Sequence, residues 1–221
     1  MDDVVRPGRG HLWWAGLVAV LTGVQYVVLE AVAASAWVDP PYRYAFNYIS
    51  DLGVPGPRSD TGARVLNSPL AAVMNTAFVV QGVGLLLVAL VVAAHLHGVR
   101  RYLLTAFAVC HAVGNVLVAV FHSTSPGGYH VVGAVLAIVG GNLLTLAAST
   151  RRWLVVLPVL GLVSALLIGR VGAGALDGLW ERGSVYSITV WEVVFGALLL
   201  WRGGRCVDRL GAWENPTRYE P

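Results

Sequence analysis

The sequence predicts an all-α bundle of about six transmembrane helices with both termini in the cytoplasm. Three observations carry this expectation. Of 221 residues, 57% are hydrophobic and only 12% are charged, against about 25% charged in a soluble domain, so lipid has to be the main solvent. Six apolar runs approach the ~20 residues a helix needs to cross the hydrocarbon. Every basic residue is arginine, and arginines cluster in short segments that would share one face, as the positive-inside bias requires.

The first helix is expected from about Leu12 to Ala36, the second from Leu70 to Leu96 and the third from Tyr102 to Phe121. The fourth runs from Val131 to Ser149, the fifth from Trp153 to Ile168 and the sixth from Val185 to Trp201. The fifth is short, with room to extend through Val171, Gly172 and Ala173. Arg6 and Arg9 precede the first helix, Arg100 and Arg101 join the second and third, Arg151 and Arg152 join the fourth and fifth, and Arg202, Arg205 and Arg209 follow the sixth. All of these fall on one side of a six-helix arrangement, which makes that side cytoplasmic. The other side receives Trp37 to Pro69, His122 to His130 and Gly169 to Ser184, where Arg43, Arg58, Arg64, Arg170 and Arg182 are balanced by Asp39, Asp51, Asp60, Asp177 and Glu181. The division is a cytoplasmic segment 1–10, a transmembrane domain 11–202 and a cytoplasmic tail 203–221.

Composition also excludes. The net charge of +3 does not mark a nucleic-acid binder, because the arginines serve topology. Cys110 lies in an apolar run and Cys206 in the polar tail, depths too different for a disulfide. No dinucleotide-binding glycine pattern, P-loop or haem-attachment motif is present, which argues against nicotinamide chemistry and ATP hydrolysis. The start of the first helix resembles a signal peptide that ends at Ala34-Ser35-Ala36. Its apolar run exceeds the ~7–15 residues of such a segment, and Glu30 interrupts it, so the helix is expected to be retained. Trp13, Trp14, Trp37, Trp153, Trp180 and Trp201 lie near helix ends and read as interfacial anchors. Gly133, Gly140 and Gly141 in the fourth helix read as close helix packing.

Polar groups in hydrocarbon are costly and turn inward. His111, Asn115 and His122 fall within roughly 40° of one another at about 100° per residue, so the third helix carries a polar stripe. Glu192 sits in mid-helix at the depth of His111, Glu30 near the outer end of the first helix, and Asn75 and Gln81 on the second. A Glu192–His111 pair is expected, serving either structure or proton handling.

Three sequence-distant outer segments deliver Asp, Ser, His, Glu and Arg to one end of the bundle. They are Asn47-x-x-Ser50-Asp51-Leu52-Gly53, the turn from His122 to His130, and Gly178-x-x-Glu181-Arg182. Together with Met74-Asn75, these residues resemble a prokaryotic integral membrane family catalogued as domain of unknown function 998. The resemblance covers about residues 10–200 and implies a six-helix membrane fold, with no reaction attached. A weaker similarity is to the seven-helix membrane hydrolases that include alkaline ceramidases, which use Ser, Asp and three His around zinc. Ser50, Asp51, His122 and His130 supply such types here, without a His-x-x-x-His pair or a seventh helix.

Two chemistries compete at this end. In one, His122, His130 and Asp51 hold a zinc ion and its water, Glu181 is general base and Arg182 grips a lipid phosphate. In the other, the histidines are interfacial, Ser50 and Asp51 close a turn, and Glu181-Arg182 caps the sixth helix. The expected function is an outward-facing polar site acting on a lipid or isoprenoid-linked substrate, hydrolase-like, with catalytic candidates Ser50, Asp51, His130, Glu181 and Arg182. Glu30, Asn75, His111, Asn115 and Glu192 are the intramembrane polar set. The alternatives are a small proton-coupled transporter and a non-catalytic lipid-binding subunit. The expected partners are membrane lipids and no nucleic acid, in a prokaryotic cell membrane.

Overall fold

The computed structural model describes residues 9–59, 65–149, 151–170 and 174–202. The helices among them are α1 (Arg9–Ser35), α2 (Ala71–Ala93), α3 (Gly98–Val120), α4 (Tyr129–Ala148), α5 (Val156–Leu167) and α6 (Asp177–Arg202). Five are long and apolar enough to cross a membrane, and the shorter apolar stretch is Arg152–Leu167. A 3₁₀ turn over Arg152–Val155 leads into α5, giving the pair a length of roughly 26 Å at ~2.0 and ~1.5 Å per residue. Another 3₁₀ turn, Ser50–Gly53, lies between α1 and α2. It is followed by a two-residue antiparallel ladder of β1 (Arg58–Ser59) and β2 (Val65–Leu66). The proposed Val171–Ala173 extension, Arg6, Asp60, Arg64 and the tail with Arg205, Cys206 and Arg209 lie outside the described residues.

Each helix packs against the next in sequence, and α6 returns to pack on α1, so the six close into a ring. Close approach depends on glycine at two seams. At α3–α4 a Cβ on Gly114 would fall on the backbone nitrogen of Ala137, and at α1–α6 a Cβ on Gly16 would come within 2.8 Å of the Gly196 carbonyl. With lipid outside, no hydrophobic gain drives these helices together, and backbone proximity supplies dispersion instead. The outside is apolar. Leu21, Val28, Leu87, Val113 and Leu160 are all exposed.

The interior has two apolar clusters. The inner one gathers Leu12, Leu85, Val92, Leu104, Trp191, Phe195 and Leu199. The outer one gathers Tyr26, Trp37, Ile49, Leu52, Met74, Phe78 and Val118 around the 3₁₀ turn. Trp37 is therefore not the interfacial anchor expected. It is 3% exposed and packs on the Tyr42 ring at 5.3 Å.

The largest departure from the sequence expectation is α6, which begins at Asp177 and not at Val185. Charged residues at 177–182 looked like a solvated loop. They are helical because they are buried against the α1–α2 segment with partners for their charges: Asp177, Glu181 and Arg182 are 7, 8 and 5% exposed.

Candidate functional site: a lateral cleft with a polar end

The α1–α2 segment is fastened to the outer end of α6 residue by residue. Arg182 does most of this. Its Nε and Nη2 reach Glu30 Oε1 at 3.0 and 2.9 Å. Its Nη1 donates to the carbonyls of Tyr44, Asn47 and Gly178 at 2.5, 2.9 and 3.0 Å, and Nη2 donates to the Tyr42 hydroxyl. The second Glu30 oxygen accepts from the Tyr186 hydroxyl at 2.9 Å. The Tyr42 hydroxyl donates in turn to the Tyr48 carbonyl at 2.9 Å. Burial holds the Tyr42 phenol well above its ordinary range, against the pull of the Arg182 guanidinium. A buried pair is tolerated only when such hydrogen bonds complete it. Arg182 thus has no N–H to spare for a lipid phosphate, which corrects that expectation. Its role is a clamp.

Around the clamp the segment closes on itself. Asp51 is 0% exposed, and its Oδ2 accepts the Tyr48 N–H at 3.0 Å with Asn47 Nδ2 at 3.5 Å. Its carboxylate closes the turn and lines neither cavity described below. Asn75 Nδ2 donates to the Gly53 carbonyl at 2.9 Å, tying the turn to α2. The Tyr48 hydroxyl donates to Asp177 at 2.7 Å, and the Ile49 N–H donates to Glu181 Oε2. Gly178 faces the Asn47 carbonyl too closely to allow a Cβ.

Ser50, Glu181 and His130 face an open space. With Tyr48 and Ser123 they form the polar end of a cleft of about 630 Å³. Its apolar walls come from Val131, Val135 and Val139 of α4 and Leu162, Ala165 and Leu166 of α5. Its origin is local. Asn142 of α4 packs directly on Gly161 of α5 and donates to the Ser184 carbonyl of α6 at 3.0 Å, pinning α4, α5 and α6 together. Outward of that pin, the space between α4 and α5 is the cleft. Val131, Val135 and Leu166 are 63, 54 and 60% exposed on the apolar outside of the ring, so the mouth faces where lipid lies. The His130 Nδ1–H donates to the Phe121 carbonyl at 2.8 Å, which leaves Nε2 as the acceptor of the neutral ring.

A second, smaller cavity of about 40 Å³ lies within the ring. Tyr26, Gln81, His111, Asn115 and Thr189 supply its polar lining, and Ser50, Glu181, Ala134 and Ile138 border both spaces. His111 does not meet Glu192. Its Nδ1–H donates to the Ala137 carbonyl at 2.7 Å, and Asn115 Nδ2 lies 3.2 Å from Nε2. Glu192 instead accepts from Gln81 Nε2 at 2.7 Å. The ring of His111 turns to α4 while Glu192 turns to α2.

The zinc expectation fails on geometry. Among the described residues, no group of three His, Cys, Asp or Glu side chains is placed to hold a metal ion. Asp51 and His130 are engaged as above, and His122 lies 3.3 Å from Ser125 Oγ, outside the cleft lining. The similarity to zinc-dependent ceramidase-type hydrolases goes with it. Tyr42, Tyr48 and Ser123 were not foreseen as site residues, and no spacing marked them.

Residues 20–198 match the family described as Protein of unknown function (DUF998). No curated protein and no solved structure matches the chain.

Proposed function

The chain belongs to this family of unknown function, and from that premise we propose that it binds a membrane amphiphile sideways and hydrolyses it at the outer end of the α4–α5 cleft. The setting is a prokaryotic cell membrane, with both termini cytoplasmic. One observation supports the reading above others: a single cleft joins apolar walls open to lipid with an end lined by Ser50, His130 and Glu181. A tail would lie along Val131, Val135 and Leu166, and the polar headgroup would meet those three side chains.

Glu181 keeps one oxygen on the Ile49 N–H, and the other has no hydrogen-bond partner among the described residues. That oxygen, or His130 Nε2, is suited to take a proton from water as the water oxygen attacks an ester-type carbon. The leaving oxygen then recovers the proton. Ser50 would orient the headgroup. No step calls on a metal. A transport reading is weaker, because below Gln81 and His111 the interior is the dry cluster of Leu85, Leu104, Trp191 and Phe195.

The test is reconstitution with a total lipid extract, followed by mass spectrometry of retained lipids and released products. Wild type should retain one lipid class and convert it slowly. Glu181→Gln should retain it without conversion, and Val135→Trp, which fills the cleft, should retain none. Retention without conversion by wild type would leave a lipid-binding subunit. Equal retention by Val135→Trp would sink the cleft as the site.

A further inference from the structure

We propose that the inner end of the bundle binds an anionic phospholipid where α3 begins beside the end of α4, with the headgroup phosphate among Arg101, Arg151 and Arg152. The site lies at the opposite end of the bundle from Ser50, His130 and Glu181, and it does not depend on the cleft reading.

Topology asks that arginines lie on one side of the membrane. It does not ask them to share a corner. Among the described residues the inner end carries Arg9, Arg100, Arg101, Arg151, Arg152 and Arg202. Four of these stand at one junction, because α3 starts against the end of α4. Arg100 makes the junction. Its Nε and Nη2 donate to the Ala147 carbonyl at 3.0 and 2.7 Å, and Nη2 lies 3.5 Å from the Ser149 carbonyl. Arg151 and Arg152 follow closely on Ser149, and Arg101 follows Arg100 in α3.

The charges at this corner do not balance. Arg100 answers the last carbonyls of α4, the negative end of that helix. Among the described residues no carboxylate answers Arg101, Arg151 or Arg152. All but one of those carboxylates lie toward the outer end. The exception, Glu192, is buried in mid-helix on Gln81. The first turn of α3 contains no acidic residue, so Arg100 and Arg101 sit where the field of the helix is itself positive. The two ends of the chain are close to neutral by count. Residues 203–221 set Arg205, Arg209 and Arg218 against Asp208, Glu214 and Glu220, and residues 1–8 set Arg6 against Asp2 and Asp3.

An anion from outside the chain would offset this excess, and arginine favours a phosphate, whose oxygens it grips in pairs. The surroundings name the source. Tyr102 and Trp153, next in sequence to Arg101 and Arg152, are exposed, and such rings settle at headgroup depth. Outward along α5, Val156, Leu160 and Val163 are exposed at helical spacing, a track for acyl chains. A free phosphate would use the arginines and leave the track bare. A phospholipid uses both, and basic corners between helices on the cytoplasmic side suit anionic headgroups.

The test offers detergent-purified protein an equimolar mixture of dioleoyl phosphatidylglycerol and dioleoyl phosphatidylcholine, which differ in net headgroup charge. Adducts are counted by native mass spectrometry. The corner is open to solvent and exchanges its lipid, so it is read with lipid supplied and not by what survives purification. Wild type should favour phosphatidylglycerol by about tenfold, and Arg151→Gln/Arg152→Gln should bring the two lipids near parity, on a scale of roughly fivefold per arginine at an anionic surface. Arg9→Gln/Arg202→Gln removes the same charge from the same end at the α1–α6 seam and should keep the preference. Val135→Trp, with its cleft filled, should keep it too, and added inorganic phosphate should not displace the lipid. Equal binding of both lipids by wild type would overturn the proposal whether or not the variants fold. Equal losses in the two arginine pairs would reduce the effect to general inner-side charge and remove the site. Loss of the preference in Val135→Trp would move the counted lipid to the cleft. Displacement by inorganic phosphate would overturn a lipid as the occupant.

Discussion

The inner and outer halves of this bundle are held by different forces. The inner half is a packed apolar plug in which Trp191 stacks on Phe195 at 4.5 Å, with polar links at its edge: the Trp191 indole on Ser149 Oγ at 2.9 Å, and Arg100 on the Ala147 carbonyl at 3.0 and 2.7 Å. The outer half is a lattice of hydrogen bonds centred on a buried ion pair, with the α1–α2 segment threaded through it. In lipid the two differ in kind. Packing tolerates conservative change and loses stability in proportion to the volume removed. A satisfied polar network loses most when one member is deleted and the others are stranded. The two cavities described above border the second half, where polar residues have been brought together and can be turned to use.

The comparison can be broken most directly at Arg182. Arg182→Met strands Glu30 and three carbonyls, and should cost roughly 3–5 kcal/mol. The loss should be local. Hydrogen exchange of the segment around 37–59 should rise while α2 and α3 stay protected, and a uniform rise would erase the distinction between the halves. Trp191→Ala should cost about 3 kcal/mol by leaving a cavity, with a lower thermal midpoint and no preferential exposure of the outer segment. Asn75→Ala removes the tie from α2 to the Gly53 carbonyl and should cost about 1–2 kcal/mol, read as faster proteolysis of the α1–α2 segment.

Alkaline titration sharpens the outer half further. The Tyr42 phenol is raised above its ordinary 10.0, so it should keep its proton when the other accessible tyrosines ionise. Tyr42→Phe should leave the phenolate absorbance gained up to about pH 11 unchanged. Because unfolded Tyr42 ionises near its ordinary value and folded Tyr42 does not, its contribution to stability is intact below that value and falls as pH rises above it. A wild-type protein that gains one phenolate more than the variant would show the clamp to be open to water. The smallest stability effect is expected at the cleft, where Val135→Trp should stay within about 0.5 kcal/mol while removing lipid retention.

Helices α1 to α4 were legible in the sequence to within a few residues because length and hydropathy fix them. The start of α6 was not, because Asp177, Glu181 and Arg182 read as loop until the segment that buries them is in place. Pattern alone could not see that Arg182 faces three carbonyls, since those belong to backbone at 44, 47 and 178. For the same reason Ser50 and Asp51, adjacent in sequence, separate in space: one borders the cleft and the other turns back to the Tyr48 N–H. The convergence of Ser50, His130 and Glu181 could be anticipated from topology, which puts three outer segments at one end. The cleft itself could not, because it depends on where Asn142 pins α4 to α5.

That pin has a thermodynamic consequence. A ligand entering between α4 and α5 comes from the bilayer plane, so what governs occupancy is its mole fraction among lipids and not its molarity in water. Adding detergent at a fixed amount of ligand would thin it out in two dimensions and lower occupancy, although nothing in the bulk solution had changed.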